Sequence, residues 1–194
     1  MMHPDTELRF VSEEIGLGVF ATKLIPKGTI VWALDDLDIF LDEEYIESLD
    51  INRKEYIYKY AYMNDEGEYV LCWDHARYIN HSFHPNCVAT AYEFELAAKD
   101  ILPGEQITCD YATLGLDEPF ECVPEEGTFR TKVMPDDYLY FYQEWDEMAR
   151  EAFKHFQSVA QPLGHLIREE FIEKVQAIIE GREEMDSFLT TFLE

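Results

Sequence analysis

Residues 77–87 read Arg-Tyr-Ile-Asn-His-Ser-Phe-His-Pro-Asn-Cys, and this stretch decides the fold. Asn80, His81, Ser82 and Asn86 follow directly on an apolar run. A buried amide or imidazole without a partner is costly, so polar groups gathered between hydrophobic stretches usually line a pocket. Downstream, residues 104–111 read Gly-Glu-Gln-Ile-Thr-Cys-Asp-Tyr, a turn feeding a short strand that ends on Tyr111. Upstream, Ile15-Gly-Leu-Gly-Val-Phe-Ala21 carries a Gly-x-Gly whose missing side chains allow close backbone approach. An ordinary tight turn would also need such a pair, so the Gly-x-Gly carries weight only beside the other two runs.

Together the three runs resemble the SET-domain family, the S-adenosylmethionine-dependent protein lysine methyltransferases, over residues 6–115. Asn-His-Ser-x-x-Pro-Asn followed by Gly-Glu-x-x-x-x-Asp-Tyr is the specific part of the match. The resemblance implies a mainly β body of several small sheets, the SET β-clip. It also implies a knot-like threading of the final segment through the loop before it, an arrangement that chain topology otherwise makes rare. It implies that Gly16, Leu17, Gly18, Asn80 and His81 hold S-adenosylmethionine, with Arg77 as a further candidate that would anchor its loop by a salt bridge. Tyr111 is the implied catalytic residue. Methyl transfer from a sulfonium to an amine is an in-line displacement that needs alignment and an uncharged nucleophile. A tyrosine hydroxyl beside the methyl would orient the lysine nitrogen. An aromatic channel next to a positive sulfonium lowers that lysine's pKa.

Other residues of the match leave alternatives open. Cys109 stands where relatives commonly carry phenylalanine or tyrosine, so its smaller thiol leaves room for dimethyl or trimethyl products; packing filler is the other reading. The alternating aromatics of Tyr56-Ile-Tyr-Lys-Tyr-Ala-Tyr62 suit a strand, with Tyr62 facing a lysine channel or the whole set filling the core. Many relatives hold zinc through a cysteine after Asn-His-Ser and a downstream cysteine cluster. Here Phe83 occupies the first position and only Cys122 remains downstream. No metal is expected, although His81, His84 and Cys87 recur at three-residue spacing. Something else must then close the site, and the aromatics Tyr138, Tyr140, Tyr142 and Trp145 are candidates. A core stripe or a homodimer seam in the C-terminal helices explains those aromatics equally.

Size and charge narrow the partners. The chain of 194 residues has room for one domain with an appendage, and its 47% hydrophobic content suffices for a core. The net charge of −26 would repel phosphates, which argues against direct nucleic-acid binding and favours a basic, lysine-containing protein or peptide. Simple solubility is the competing reading of that charge. No apolar run is long enough to cross a bilayer and the N-terminus lacks a secretory pattern, so no membrane association is expected. Four scattered cysteines without a Cys-x-x-Cys pair suit a reducing compartment, so a cytoplasmic setting is expected, with a nuclear one left open.

Three regions emerge along the chain: a β-rich body over 6–115, a linking or closing segment over 116–134, and a helical region over 135–194. Strands are expected at 8–11, 18–21 and 29–34, a hairpin joins 58–63 to 69–73 through Glu66-Gly67, and 88–98 reads as one alternating run. Tyr45–Tyr58 has room for a helical turn or two. Pro26-Lys-Gly28 is echoed at Pro103-Gly104, two turns of similar chemistry. Asp136 or Asp137 caps a helix to about Val159, with Tyr138, Phe141, Trp145, Met148, Ala152 and Phe156 on one stripe. Pro162 opens a second helix to about Ile179, stopped at Gly181, and a short tail helix covers 185–193. The leading function is a protein lysine N-methyltransferase; the alternative is a non-catalytic SET-fold module that grips basic peptides.

Overall fold

The structure is a computed structural model and describes residues 1–64 and 66–192. Its body is built from twelve short strands. β1 (Thr6–Ser12), β2 (Gly16–Ala21), β3 (Ile30–Ala33) and β4 (Ile39–Leu41) come first. Two helices, α1 (Glu43–Glu47) and α2 (Ile51–Tyr60), precede β5 (Tyr62–Met63) and β6 (Tyr69–Leu71). Then follow β7 (Asn80–His81), β8 (Cys87–Ala89), β9 (Phe94–Ala97), β10 (Thr108–Cys109), β11 (Phe120–Glu121) and β12 (Lys132–Val133). Helices α3 (Tyr138–Phe153) and α4 (Glu169–Ile179) close the chain with a 3-10 turn at Phe188–Phe192. Among the described residues the strands form five small sheets, in the orders β1-β2, β3-β9-β8, β4-β6-β5, β10-β7 and β11-β12. Only the β7–β10 pair is parallel. Parallel neighbours need a long crossover, and residues 82–107 supply it.

The two echoed turns find each other. Ile25 and Ile101 exchange backbone hydrogen bonds, each of 2.9 Å, and Gly28 and Gly104 both sit at φ +87°. Glycine tolerates that left-handed backbone without a Cβ clash.

Several expectations are corrected. The aromatic run 56–62 is helical up to Tyr60, not a strand, because Asp50 caps α2 through the Arg53 N–H. Within the helix Tyr56 and Tyr60 meet at i, i+4, with ring centroids 4.8 Å apart. Only Tyr62–Met63 enters the hairpin, whose turn carries Gly67 at φ +76°. The run 88–98 is two strands, broken at Glu93, whose positive φ of 58° turns the chain. Tyr111 does not end a strand; it starts a 3-10 turn at Tyr111–Thr113 that Asp110 caps by accepting from the Ala112 N–H. Pro162 does not open the second helix. The chain first makes a 3-10 turn at Gly164–Leu166, and α4 begins at Glu169. The tail is the 3-10 turn Phe188–Phe192, and the expected end at Leu193 lies outside the described residues.

The helices are part of the body's core. Trp145, Ala149, Ala152 and Phe153 of α3 are buried in one cluster with Val88, Phe94, Leu96 and Ile30 of the three-stranded sheet. The stripe expected as core or dimer seam is therefore core within the chain, while Tyr140 remains 68% exposed. Gln161 ties this layer to the first turn. Its amide donates to Gly28 O (2.8 Å) and Phe156 O (3.0 Å), and its carbonyl accepts from Ile30 N (2.9 Å).

Candidate active site

The parallel β7–β10 pair sets Asn80 beside Thr108 and His81 beside Cys109. That register brings the two most specific sequence runs into one place. Asn86, buried, fixes it: its amide donates to Gln106 O (2.8 Å) and accepts from Thr108 N (2.9 Å).

The glycine loop joins from the other side. The Asn80 amide donates to Leu17 O at 3.0 Å. A Cβ on Gly18 would sit 2.9 Å from Asn80 Nδ2, Gln106 Nε2 and Val11 Cγ2, so a larger residue would have to push these side chains, Asn80 among them, out of place. Gly16 is needed for another reason, its φ of +85°.

His81 links both halves. The Tyr111 N–H donates to its Nδ1 at 3.2 Å, so in the neutral ring the proton sits on Nε2. That Nε2 is buried and has no partner among the described residues. Burial lowers the ring's pKa from its ordinary 6.5, and Asp110 opposes this only in part. The 3.8 Å approach of Asp110 to Nδ1 is accordingly no working ion pair, since Arg130 already occupies that carboxylate. The unfolded chain takes up this proton near 6.5 while the folded chain resists it. His81 therefore contributes its full stabilisation above 6.5 and loses it as the pH falls from there towards the depressed folded value. His3 and His75 are depressed by burial too and act with the same sign. We expect Tm measured by calorimetry to drop as the pH is lowered through this window. The slope should be shallower in His81→Gln.

Tyr111 donates its hydroxyl to Ile79 O at 2.9 Å, and burial pushes its pKa well above that of a free phenol. The ring lines a cavity of about 360 Å³ together with Trp32, Tyr62, Cys72, Glu95 and Cys109. Tyr62 is half-buried, edge-on to Trp32, with centroids 5.8 Å apart. The Cys109 thiol is buried and held protonated. Cys109, Tyr62 and Tyr111 all line this cavity.

Arg77 differs from expectation. It makes no ion pair among the described residues. Its guanidinium donates to Trp73 O (3.0 Å) and Tyr56 Oη (3.1 Å), and the residue lines the cavity.

Residues of the segment 116–134, expected to link or to close the site, pack against it. Phe120 packs 5.2 Å from Tyr111 and 6.5 Å from His81, centroid to centroid. The Glu125 carboxylate accepts from Ser82 Oγ (3.0 Å) and Phe83 N (3.2 Å), holding the chain just after His81. Arg130 lies between the rings of Phe83 (4.4 Å) and Phe141 (4.2 Å). It binds Asp110 at 2.5 Å and Asp137 at 2.8 Å. The helix aromatics proposed for this role do not fill it: Trp145 packs on Phe188 and Tyr138 stacks on Phe192. Among the described residues no three His, Cys, Asp or Glu side chains cluster closely enough to hold a metal ion. His84 Nε2 is 3.1 Å from Glu126 O.

Sequence reasoning missed Phe120, Arg130 and Glu95. Their partners lie far away in the chain, and Glu95 sits in a short apolar run where its alternation suggests an outward face.

No curated protein matches the sequence. A crystal structure of a Plasmodium falciparum protein provisionally named a histone methyltransferase is similar at 19% identity and TM-score 0.41, covering 57% of this chain and 95% of its own. The family model for the SET domain matches residues 16–112, from the glycine turn through Tyr111. That span takes in the Gly16–Gly18 loop, the β7–β10 pair and the tyrosine locked to His81, and the chain belongs to the SET-domain family.

Proposed function

We propose that this chain is an S-adenosylmethionine-dependent protein lysine N-methyltransferase acting on a basic protein. The observation that carries the reading is the Tyr111 N–H to His81 Nδ1 hydrogen bond, which leaves a buried imidazole N–H unspent next to a phenol that lines an aromatic cavity. The residues present fit the cofactor. Gly16 and Gly18 keep the loop backbone bare, and Asn80 and the His81 Nε2–H supply polar contacts. When bound, S-adenosylmethionine supplies an electrophilic methyl group on a sulfonium.

The chain does the rest by positioning. Tyr111's single proton is committed to Ile79 O, so its oxygen presents lone pairs to the cavity. Those lone pairs accept from an amine N–H and turn the nitrogen's own lone pair along the line of attack. A phenol pushed so far up in pKa stays neutral, so it orients the amine without acting as a base. Trp32 and Tyr62 exclude water from the cavity, which favours the uncharged amine over the ammonium. A net charge of −26 draws lysine-rich segments towards the molecule and raises their encounter rate at low salt. Cys109 leaves more room beside Tyr111 than an aromatic ring would, which favours products beyond monomethyl-lysine.

Calorimetric titration with S-adenosylmethionine tests the cofactor half. Binding is expected with the wild type. In Gly18→Ala the affinity should fall at least about tenfold, while overpacking costs only ~1 kcal/mol of stability. Absence of binding to the wild type would leave a peptide-gripping SET module as the better account.

A further inference from the structure

Two acids, Glu93 and Glu95, line this cavity, and the site described so far does not explain the presence of Glu95 on the sheet's inner strand. In the three-stranded sheet it pairs across with Trp32 on one side and Ala89 on the other. Paired residues share a face, and all three line the cavity that holds Tyr111. Glu95 is fully buried, and its Oε2 has no partner among the described residues. The neighbouring Trp32 Nε1 is also without one. A buried acceptor left unpaired costs folding energy, and such a group in a cavity marks a site where something else must bind.

We propose that Glu95 receives the ε-ammonium of the incoming lysine in this cavity and accepts its proton before methyl transfer. This rests on reading the cavity as the lysine site. The N–H bond breaks and an O–H bond forms at Oε2, turning ammonium and carboxylate into neutral amine and carboxylic acid. The electron pair freed on nitrogen then forms the bond to the methyl carbon, while the C–S pair stays with sulfur. The proton on Glu95 returns to solvent once the cavity reopens on product release.

Three observations support this role. Burial alone raises the Glu95 pKa to about 7, which matches an acid that must both pair with a cation and hold a proton near neutrality. Lys59, Arg77 and Glu93 also line the cavity, and the groups whose own protons respond to Glu95 are Tyr62, Cys72, Cys87 and Cys109. All four are pushed up first by burial and further by Glu95's charge, so none competes for the proton. Finally, Tyr111 donates its hydroxyl hydrogen bond to Ile79 O and stays neutral, so it does not deprotonate the lysine.

The test uses the full chain and n-butylamine as a truncated lysine side chain, with butan-1-ol as the uncharged control, at about pH 8. Binding is read by calorimetry for the wild type, Glu95→Gln and Glu95→Asp. The amine should bind the wild type and lose at least about tenfold in Glu95→Gln, the size of one charge-assisted hydrogen bond. Glu95→Asp should fall between the two, and the alcohol should bind all three alike. Equal amine binding to wild type and Glu95→Gln, or none to the wild type, overturns the proposal. Misfolding is not the expected confounder. The folded chain holds this acid protonated up to about 7 while the unfolded chain ionises it near 4.5, so its stabilisation is lost as the pH rises between those values. Glu95→Gln should therefore be the more stable protein above pH 7. A second arm measures methyl transfer from labelled S-adenosylmethionine to lysine-rich histones. Amine binding that depends on Glu95 without any wild-type transfer sinks the methyltransferase reading and keeps the carboxylate's role. Transfer that is equal in wild type and Glu95→Gln does the reverse.

Discussion

Tyr111→Phe should abolish most methyl transfer while leaving the protein folded. The substitution removes one oxygen from the cavity and keeps the ring that packs on His81 and Phe120. What is lost is the lone pair that orients the amine, and removal of one preorganised polar group from a transition state costs about 10²–10³-fold in kcat. The structural cost is small by comparison. Ile79 O loses its donor, a penalty of roughly 1 kcal/mol, and the bond from the Tyr111 N–H to His81 is a backbone bond that survives. The expected signature is thus a large fall in kcat with S-adenosylmethionine affinity unchanged in calorimetry. A fall in affinity with kcat intact would place the phenol in binding and not in the transfer step.

Arg130→Ala should produce the largest loss of stability. The side chain neutralises two carboxylates, Asp110 and Asp137, that are both buried. Removing one partner of a buried ionic group strands the remaining charges, a loss of about 3–5 kcal/mol. The rings of Phe83 and Phe141 also lose the cation between them. Arg130→Lys should recover only part of this, because an ammonium cannot reproduce the planar fork that spans two acids and two rings. Asp110 also caps the turn that starts with Tyr111, so S-adenosylmethionine affinity should fall together with Tm. A melting temperature within a degree or two of wild type would show that the segment 117–133 does not hold the site closed.

Much of the candidate site is legible in the sequence because the relevant groups are local. Asn80 and His81 are adjacent, Tyr111 sits at the end of a recognisable run, and the β7–β10 register only had to bring two short segments together. Failures came where local signals compete or where partners are distant. The alternation Tyr56-x-Tyr58-x-Tyr60 carries a strand period, yet one capping carboxylate at Asp50 and the i, i+4 pairing of Tyr56 with Tyr60 favour the helix. Pro162 reads as a helix start, but the Gln161 side chain is engaged with Gly28 and Ile30, and the helix waits until Glu169. Cysteine loss leaves no local sign of what closes the site, so the sequence offers both the helix aromatics and the segment 116–134 as candidates. Arg130 and Phe120 do that work through contacts with residues 83, 110, 111 and 141, which no window along the chain reveals. Glu95 was invisible for a related reason: an acid between apolar neighbours reads as solvent-facing until the sheet shows both of its faces covered.

The most direct test is to locate the transferred group. The wild-type chain is incubated with methyl-labelled S-adenosylmethionine and a lysine-rich histone mixture, and the modified residues are identified by mass spectrometry. The account predicts label on lysine side-chain nitrogens, some carrying more than one methyl. Label on any other residue type, or none although the cofactor binds, would contradict it.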